Sequence, residues 1–171
     1  MTRVLSVLTA VAFSTGLLTT ALSAQAFRKH TDAKNGFTIE VPQDWKVGTP
    51  TGVALEAASQ DDLANFRVVV QARNNMSASQ ILESMEQQLG YENMLDPPQR
   101  KLNAQALKPT GAQDCTVGAY SVTRNNVEIN QRIWVYVKGQ KAYIIVETVP
   151  DENLGDMIDI FDRMSKSIRI K

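Results

Sequence analysis

Only a few residues of this 171-residue chain could serve as a catalytic base, a thiol nucleophile or a soft metal ligand. The chain has one histidine, His30, and one cysteine, Cys115. A Ser-His-acid hydrolase needs a histidine held firmly against its nucleophile, and His30 lies near the N-terminus, where we expect a mobile chain. One Cys and one His cannot supply the close ligand pairs of a structural zinc site. The sequence therefore predicts no catalytic residue and no zinc.

Two pairs of neighbouring acids are the remaining candidates for a metal. Asp61-Asp62 and Asp151-Glu152 lack the alternating oxygen ligands and the glycine of a calcium loop. We interpret the first pair as turn residues and the second as the start of a helix. Gly111 and Gly118 are isolated and form no phosphate-binding loop. Paired carboxylates for glycoside hydrolysis stay open as an alternative, but nothing in the sequence marks two acids as special. We expect no metal, no cofactor and no enzymatic activity.

Cys115 allows two interpretations. A single cysteine forms no disulfide within the chain, so it is either a small buried hydrophobe at the start of a strand or a thiol that reacts or pairs between chains. The usual burial of unpaired cysteine favours the first. Asp114 next to it disfavours a thiolate, so we predict a buried, unreactive Cys115.

The first 26 residues have the pattern of a cleavable secretory signal peptide. One positive charge, Arg3, precedes a largely apolar stretch from Val4 to Leu22, which is followed by the small-residue motif Ala24-Gln25-Ala26. The alternative is a retained membrane anchor, and the basic residues 28–30 give it some support. Hydroxyl side chains interrupt the apolar stretch, whereas a span needs about 20 predominantly apolar residues. We predict cleavage after Ala26 and a periplasmic or secreted protein without a stable membrane span.

Removal of 26 of the 171 residues would leave 145, the length of one domain with one core. This single domain, 27–171, would carry 17 Lys and Arg against 18 Asp and Glu, a formal charge of −1. It contains no long basic run, so nucleic acid and anionic membrane surfaces are poor partners. A lipid anchor on a first mature cysteine is also excluded, because Cys115 lies far from the cleavage site.

The N-terminal half alternates between short strands and turns. Phe37–Val41 alternates at period two and ends at Pro42, which has no amide hydrogen for a ladder. Strands at Val53–Ala57 and Phe66–Ala72 are predicted to pair antiparallel across the polar turn 59–62. A weakly patterned strand is predicted from about Arg100 to Leu107, and a short closing strand at 168–170.

Two helices are predicted from caps and from apolar residues at helical spacing. The first is preceded by Ser77, which with Gln80 forms a capping box, and it stops at Gly90. The second follows Pro150, with Asp151 as its N-cap. Each can cover one face of the sheet, or both can share a face. Their predicted buried stripes are Ile81, Leu82, Met85 and Leu89, and Leu154, Met157, Ile158, Phe161 and Met164.

From Thr116 onward the sequence predicts three antiparallel strands joined by two tight turns. Asn125-Asn126 suits a two-residue turn with positive φ, and Gly139-Gln140 suits one with Gly first. Two-residue loops fix the register of the strands. The predicted facing pairs are Tyr136 and Tyr143, Trp134 and Ile145, Arg132 and Glu147, Val122 and Ile129, and Val117 and Trp134.

This register divides the side chains of the three strands between two apolar faces. A sheet that is apolar on both faces must be covered on both, or it exposes a patch for binding. The first face is aliphatic, and the second is largely aromatic with a possible ion pair of Arg132 and Glu147. The first comprises Tyr120, Val122, Ile129, Ile133, Val135, Val137, Ile144 and Val146, and the second Val117, Trp134, Tyr136, Tyr143 and Ile145.

The candidate binding residues are Arg132, Trp134, Tyr136 and Tyr143, which we call the Trp134 face. Aromatic side chains with one cation are typical of binding hot spots. The alternative is that a covering helix turns them into ordinary core, which is favoured because large exposed apolar patches are uncommon on monomers. For Trp45, which follows Pro42, we predict a core position.

Three segments together resemble PsbP-like and DcrB-like domains. Residues 36–45, GFTIEVPQDW, are similar to the opening of those domains, Arg132 to Val149 resembles their long hairpin, and the closing helix before Ser167–Ile170 resembles their C-terminal end. The resemblance implies an α+β fold, an antiparallel sheet of about six strands sandwiched by two main helices. Members are accessory or assembly proteins, envelope proteins and adaptor-like chaperones.

The sequence and the resemblance together predict an exported, non-enzymatic accessory or chaperone-like domain that binds another envelope or secreted protein. No segment matches a photosystem-specific binding element, so that role is not expected. The alternative is a domain that binds a small lipid or metabolite in a pocket between the sheet and a helix. The sequence does not distinguish the oligomeric states.

Overall fold

The computed structural model describes residues 25–90 and 108–171. The predicted signal peptide, apart from its last two residues, and the predicted strand at 100–107 lie outside the described residues. The strands are β1 (Phe27–Asp32), β2 (Phe37–Pro42), β3 (Lys46–Gly48), β4 (Leu55–Ala58), β5 (Asn65–Ala72), β6 (Asp114–Arg124), β7 (Val127–Lys138), β8 (Lys141–Pro150) and β9 (Arg169–Ile170), and the helices are α1 (Ala78–Leu89) and α2 (Leu154–Ser167).

The meander β6-β7-β8 has the predicted register. Tyr136 lies opposite Tyr143, and Arg132 lies opposite Glu147, while all the other predicted pairs are also formed. At the first turn Asn125 and Asn126 both have positive φ, 50° and 62°, and at the second the positive φ of 56° belongs to Gly139. The turn chemistry therefore set the register of these strands.

The strands form two sheets rather than one. The main sheet has six strands in the order β3-β4-β5-β8-β7-β6, and a smaller sheet has the order β1-β2-β9. Two points correct the sequence-based description. Phe37–Val41 belongs to the smaller sheet, and the region around His30 is an ordered strand, in which His30 pairs with Ile39, instead of a mobile terminus. Strands β1 and β3 had not been predicted.

The main sheet is covered on both faces. Helix α1 packs on β6 and β7 over the aliphatic face, and α2 packs together with the smaller sheet over the aromatic face. Each helix thus covers one face, and the smaller sheet adds cover that was not predicted. The architecture is the predicted α+β sandwich.

Helix α1 begins and ends at the predicted caps. The Ser77 hydroxyl accepts from the amide of Gln80, and the Gln80 side chain accepts from the amide of Ser77, which completes the capping box. Gly90 closes the helix in the left-handed conformation. One predicted position of the buried stripe is wrong, because Leu89 is 48% exposed. Leu89 lies in the last turn of α1, beyond Glu86, whose carboxylate accepts the hydrogen bond from Tyr120 of β6.

The start of α2 differs from the prediction. Residues Asp151–Asn153 form a single 3-10 turn, and the helix proper begins at Leu154 after Asn153. Asp151 makes no capping hydrogen bond. Its carboxylate instead accepts from Nδ2 of Asn130 on β7, at 2.6 Å. The side chain that was expected to cap the helix therefore ties the turn to the sheet.

Gly118 on β6 makes room for the ring of Tyr120. A Cβ atom at this position would overlap the Tyr120 hydroxyl and ring, and that hydroxyl donates to Oε1 of Glu86 on α1 at 2.5 Å. Glycine in a strand interior is often compensated by an aromatic ring lying over it. The pair Gly118 and Tyr120 thus fixes how α1 sits on the sheet.

We expect Gly118→Ala to displace Tyr120 from Glu86 and to lower the free energy of unfolding by about 1–3 kcal/mol, the effect of losing a hydrogen bond to a charged group. Urea denaturation of Gly118→Ala and of Tyr120→Ala measures this. If Gly118→Ala destabilises the protein through Tyr120, it adds little to Tyr120→Ala in the double variant, because the ring that the added Cβ would overlap is gone. Full additivity of the two changes would contradict this coupling.

Candidate functional site

The Trp134 face is buried. Trp134 and Tyr136 are 0% exposed, Tyr143 is 3% exposed and Arg132 is 7% exposed. Helix α2 and the smaller sheet cover them, and Trp45, as predicted, is a core residue of the same cluster. The four residues are therefore core side chains, the alternative given above, and they form no open contact surface. The burial that the sequence favoured has a physical cause, since strand β2 carries apolar side chains that pack onto this face.

A buried cluster of polar groups lies within the Trp134 face and connects the sheet to α2. We call Arg132, Glu147, Asp162 and Ser165 the ion cluster. Nε of Arg132 donates to Glu147, and its Nη1 donates to Oδ1 of Asp162 at 2.9 Å. The Ser165 hydroxyl donates to the other oxygen of Glu147 at 2.7 Å. Arg132 and Glu147 come from the sheet, whereas Asp162 and Ser165 come from α2.

Burial dominates the electrostatics of the ion cluster. It raises the pKa of Glu147 above its usual range, although Arg132, Ser165 and Trp134 oppose this shift. Burial also raises the pKa of the Tyr136 hydroxyl far above its usual range, and the charge of Glu147 raises it further. Glu147 is 1% exposed and Tyr136 is 0% exposed, so neither group is open to a substrate. The hydrogen bonds of the ion cluster hold α2 on the sheet.

Cys115 is buried at the beginning of β6, as predicted. Burial raises the pKa of its thiol, Lys108 opposes the shift, and Asp114 adds to it. A thiol with a raised pKa is a poor nucleophile at neutral pH. His30 lies on β1, at the outer edge of the smaller sheet, and the structure does not bring it to Cys115 or to the ion cluster.

The main sheet also borders an open depression, which we call the apolar cleft. It lies between α1 and strands β5 and β8, and its volume is about 300 Å³. Seven of its twelve lining residues are apolar, and the other five are polar. Its lining residues are Val69, Gln71, Ala72, Arg73, Asn74, Met76, Ile81, Ser84, Met85, Gln88, Ile144 and Val146.

A second depression, the charged groove, runs along the outer side of α2 beside β2 and β9. It is shallower and more open than the apolar cleft, with a volume of about 370 Å³. Three cations and three carboxylates line it, together with Ser167. The charged residues are Glu40, Asp159, Asp162, Arg163, Lys166 and Arg169.

Partial signals for these two depressions are present in the sequence. Phe66 and Val68 are buried on one face of β5. Val69 therefore lies on the opposite face, where polar side chains are expected if that face is open to solvent. The charges of α2 were visible as the polar side of an amphipathic helix. The proximity of these charges to Glu40 could not be predicted from the sequence, because it depends on the packing of α2 against β2.

In the part of the chain that the structure describes, no group of three or more His, Cys, Asp or Glu residues is placed to hold a metal ion. Among the same residues, no helix has the length and apolar character needed to cross a membrane.

The order of the strands and the layering of the helices define a PsbP-like α+β sandwich. Three solved structures share this fold. Cyanobacterial PsbP (CyanoP) from Synechocystis sp. PCC 6803 superposes with a TM-score of 0.54 at 10% identity, over 88% of this chain and 96% of that one. LpqN of Mycobacterium tuberculosis, a protein involved in cell envelope biogenesis, has a TM-score of 0.56 at 9% identity, over 85% and 91% of the two chains.

A crystal structure from Bacteroides thetaiotaomicron has a TM-score of 0.55 at 16% identity and covers 84% of this chain, which spans 48% of that protein. No protein-family model matches the chain, and no curated protein matches it in sequence. At these identities the likeness concerns the fold alone. The resemblance predicted from the sequence is thereby confirmed for the fold.

Proposed function

We propose that this protein is an exported, non-enzymatic accessory domain that binds another envelope or secreted protein through the charged groove. The observation that carries the proposal is the composition of the groove, with three cations and three carboxylates on one open surface. Charges of both signs in a fixed arrangement select a partner whose surface carries the complementary pattern. An open, shallow surface of this kind suits a protein better than a small molecule.

Arg163 is the central residue of the proposed contact. Its guanidinium lies over the ring of Phe27, 3.8 Å from the ring centroid, and 3.6 Å from a carboxylate oxygen of Glu40. Its side chain is nevertheless 53% exposed. An arginine that is oriented by an aromatic ring and still open to solvent is a typical hot-spot residue of protein interfaces.

The floor of the groove is held in place from inside the protein. Asp162 lines the groove and accepts a hydrogen bond from Arg132 of the ion cluster. Because the buried cluster fixes this turn of α2, the groove is positioned before a partner arrives, which lowers the entropic cost of binding. The fold shared with LpqN, a protein involved in cell envelope biogenesis, agrees with a role in the envelope.

We expect Arg163→Glu to weaken binding of the partner by about tenfold or more, since a hot-spot residue contributes about 2 kcal/mol or more and about 1.4 kcal/mol corresponds to tenfold. A photo-crosslinker at position 166 captures the partner from envelope extract, and titration of the purified partner measures its affinity. Arg67→Glu is the matched control, because Arg67 is also 50% exposed and pairs with one carboxylate, on Glu56. Equal loss of binding in both variants, or in neither, would contradict the proposal.

The second candidate function is binding of a small ligand in the apolar cleft. The cleft volume of about 300 Å³ lies at the lower end of the range for small-molecule sites, about 300–1,000 Å³. Its position between a helix and the sheet is the one expected from the sequence for a ligand pocket. Native mass spectrometry of protein purified without detergent tests this candidate, because a retained ligand adds a discrete mass.

A further inference from the structure

We propose that the apolar cleft binds an amphiphile with one unbranched apolar chain and one anionic head group, a carboxylate being the simplest case, and that Arg73 binds the head group. This inference deepens the second candidate function and is independent of the charged groove. It names the chemistry of the ligand from the side chains that line the cleft.

The cleft offers a continuous apolar surface for the chain. Ile81 and Ile144 are almost fully buried at its base, while Val69, Met85 and Val146 are partly buried and pack against the same core cluster. Methionine side chains adapt to ligands of irregular shape. Because these partly buried side chains remain open to water, an alkyl chain that covers them gains the free energy of apolar burial.

Arg73 gives the cleft its charge. It is the only charged residue among the described residues that line the cleft, and no carboxylate is among them. The Nε atom of Arg73 is buried and has no hydrogen-bond partner. The described residues also provide no ion pair for its guanidinium. A buried donor without an acceptor is unfavourable, and a carboxylate or phosphate would supply that acceptor with a charge-assisted hydrogen bond.

The backbone places Arg73 at one end of the cleft. Its amide donates to the carbonyl of Gln140 at 3.0 Å, and its carbonyl accepts from the amide of Met76 at 2.9 Å. Between them Asn74 and Asn75 have positive φ, 50° and 62°, as a tight turn of two left-handed residues requires. The turn holds Arg73 and Met76 close together, so the charged end adjoins the apolar wall.

Two of the other polar lining residues agree with an anionic head group. Gln71 and Asn74 lie within two residues of Arg73 and line the cleft, and each can donate a hydrogen bond. Ser84 and Gln88 line the cleft from α1, where Nε2 of Gln88 donates to Oγ of Ser84 at 3.4 Å. A volume of about 300 Å³ favours a single chain over a two-chain phospholipid, since it lies at the small end of the known range of ligand sites.

The test is titration of the mature protein with decanoate, below its critical micelle concentration, beside decanol, which has the same chain without the charge. We expect decanoate to bind at least about tenfold more tightly than decanol, the ratio for one charge-assisted hydrogen bond. Arg73→Gln is expected to remove this preference by weakening the binding of decanoate more than that of decanol. Arg67→Gln, a change to an arginine on β5, the strand that precedes Arg73, is expected to keep the preference, because Arg67 pairs with Glu56.

A further variant locates the site. Ser84→Phe fills the cleft from α1, so it is expected to abolish binding of both compounds, and thermal unfolding checks that the variants are folded. Equal affinity for decanoate and decanol, or an unchanged preference in Arg73→Gln, overturns the assignment of the head group while the cleft remains a ligand site. Binding that persists in Ser84→Phe, or no binding of either compound, overturns the second candidate function as well.

Discussion

Replacing Arg132 by methionine is expected to lower the free energy of unfolding by about 3–5 kcal/mol, the usual effect of removing one partner of a buried ion pair. The reason is that Glu147, 1% exposed, would lose the cation that offsets its burial. Chemical denaturation with urea at pH 7, analysed by linear extrapolation, measures the loss. Asp162 would also lose its hydrogen bond to the sheet.

The double variant Arg132→Met with Glu147→Leu is the control. Replacing both charges by apolar groups of similar size is often neutral or stabilising, so the double variant is expected to recover most of the loss. A double variant as unstable as Arg132→Met would show that packing, and not the unpaired charge, caused the effect.

The single variant Arg132→Met is expected to become more stable as the pH falls from 8 towards 5. The pKa of Glu147 is raised in the folded state, so the folded protein binds this proton more tightly than the unfolded chain does. Stability from such a group falls as the pH rises through the interval between its usual and its raised pKa. Arg132 opposes the effect of burial on the pKa of Glu147, so its removal widens the interval between the usual and the raised pKa. Glu147→Gln in the Arg132→Met background should therefore abolish the pH dependence of stability that Glu147 causes.

Phe161→Ala is expected to lower the free energy of unfolding by about 3–5 kcal/mol, the range for truncating a buried aromatic side chain. Phe161 is 1% exposed and contacts the rings of Trp45 and Phe66, with centroids 6.1 Å and 6.3 Å away. It is therefore the main apolar contact that holds α2 over the aromatic face. Urea denaturation measures the loss, and near-ultraviolet circular dichroism reports the environment of Trp45.

Lys166→Ala is the matched control on the same helix. Lys166 is exposed, and substitutions at such positions usually change stability by less than about 0.5 kcal/mol. A loss of less than about 1 kcal/mol in Phe161→Ala would contradict the structural role given to this side chain.

The parts of the fold that the sequence predicted well depend on short-range chemistry. The turns at Asn125-Asn126 and Gly139-Gln140 fixed the register of three strands because both turn type and loop length are local properties. The capping box at Ser77 fixed the start of α1 for the same reason. These features need no knowledge of distant residues.

The parts that were missed depend on distant residues. Strand β1, residues 27–32, has no regular alternation of apolar side chains, and it forms because β2 offers six consecutive partners. The contribution of β2 to the cover of the Trp134 face was likewise not predicted, and its side chains Phe37, Ile39 and Val41 are all buried in that cluster. Apolar side chains on two strands do not reveal whether the strands share one sheet or belong to two packed layers.

In the candidate sites, too, the features set by local sequence were predicted, and those set by distant residues were not. The pairing of Arg132 with Glu147 was predicted from the register, but the participation of Asp162 and Ser165 was not, because it requires the position of α2 on the sheet. The apolar cleft arises because α1 covers β6 and β7 and leaves the neighbouring strands open. A hydrophobic pattern indicates which residues are buried, but it does not indicate which strands of the sheet a helix covers and which it leaves open.

The smaller sheet joins residues from opposite ends of the described chain. Phe37 on β2 pairs with Ile170 on β9, and the amide of Lys171 donates to the carbonyl of Gly36 at 2.9 Å. Contacts between residues so far apart in the sequence are slow to form, because they close the longest loops. In a chain synthesised from its N-terminus, β2 has both of its edges occupied only after residues 169–170 have been made. The aromatic face of the main sheet would therefore be the last part of the core from which water is excluded.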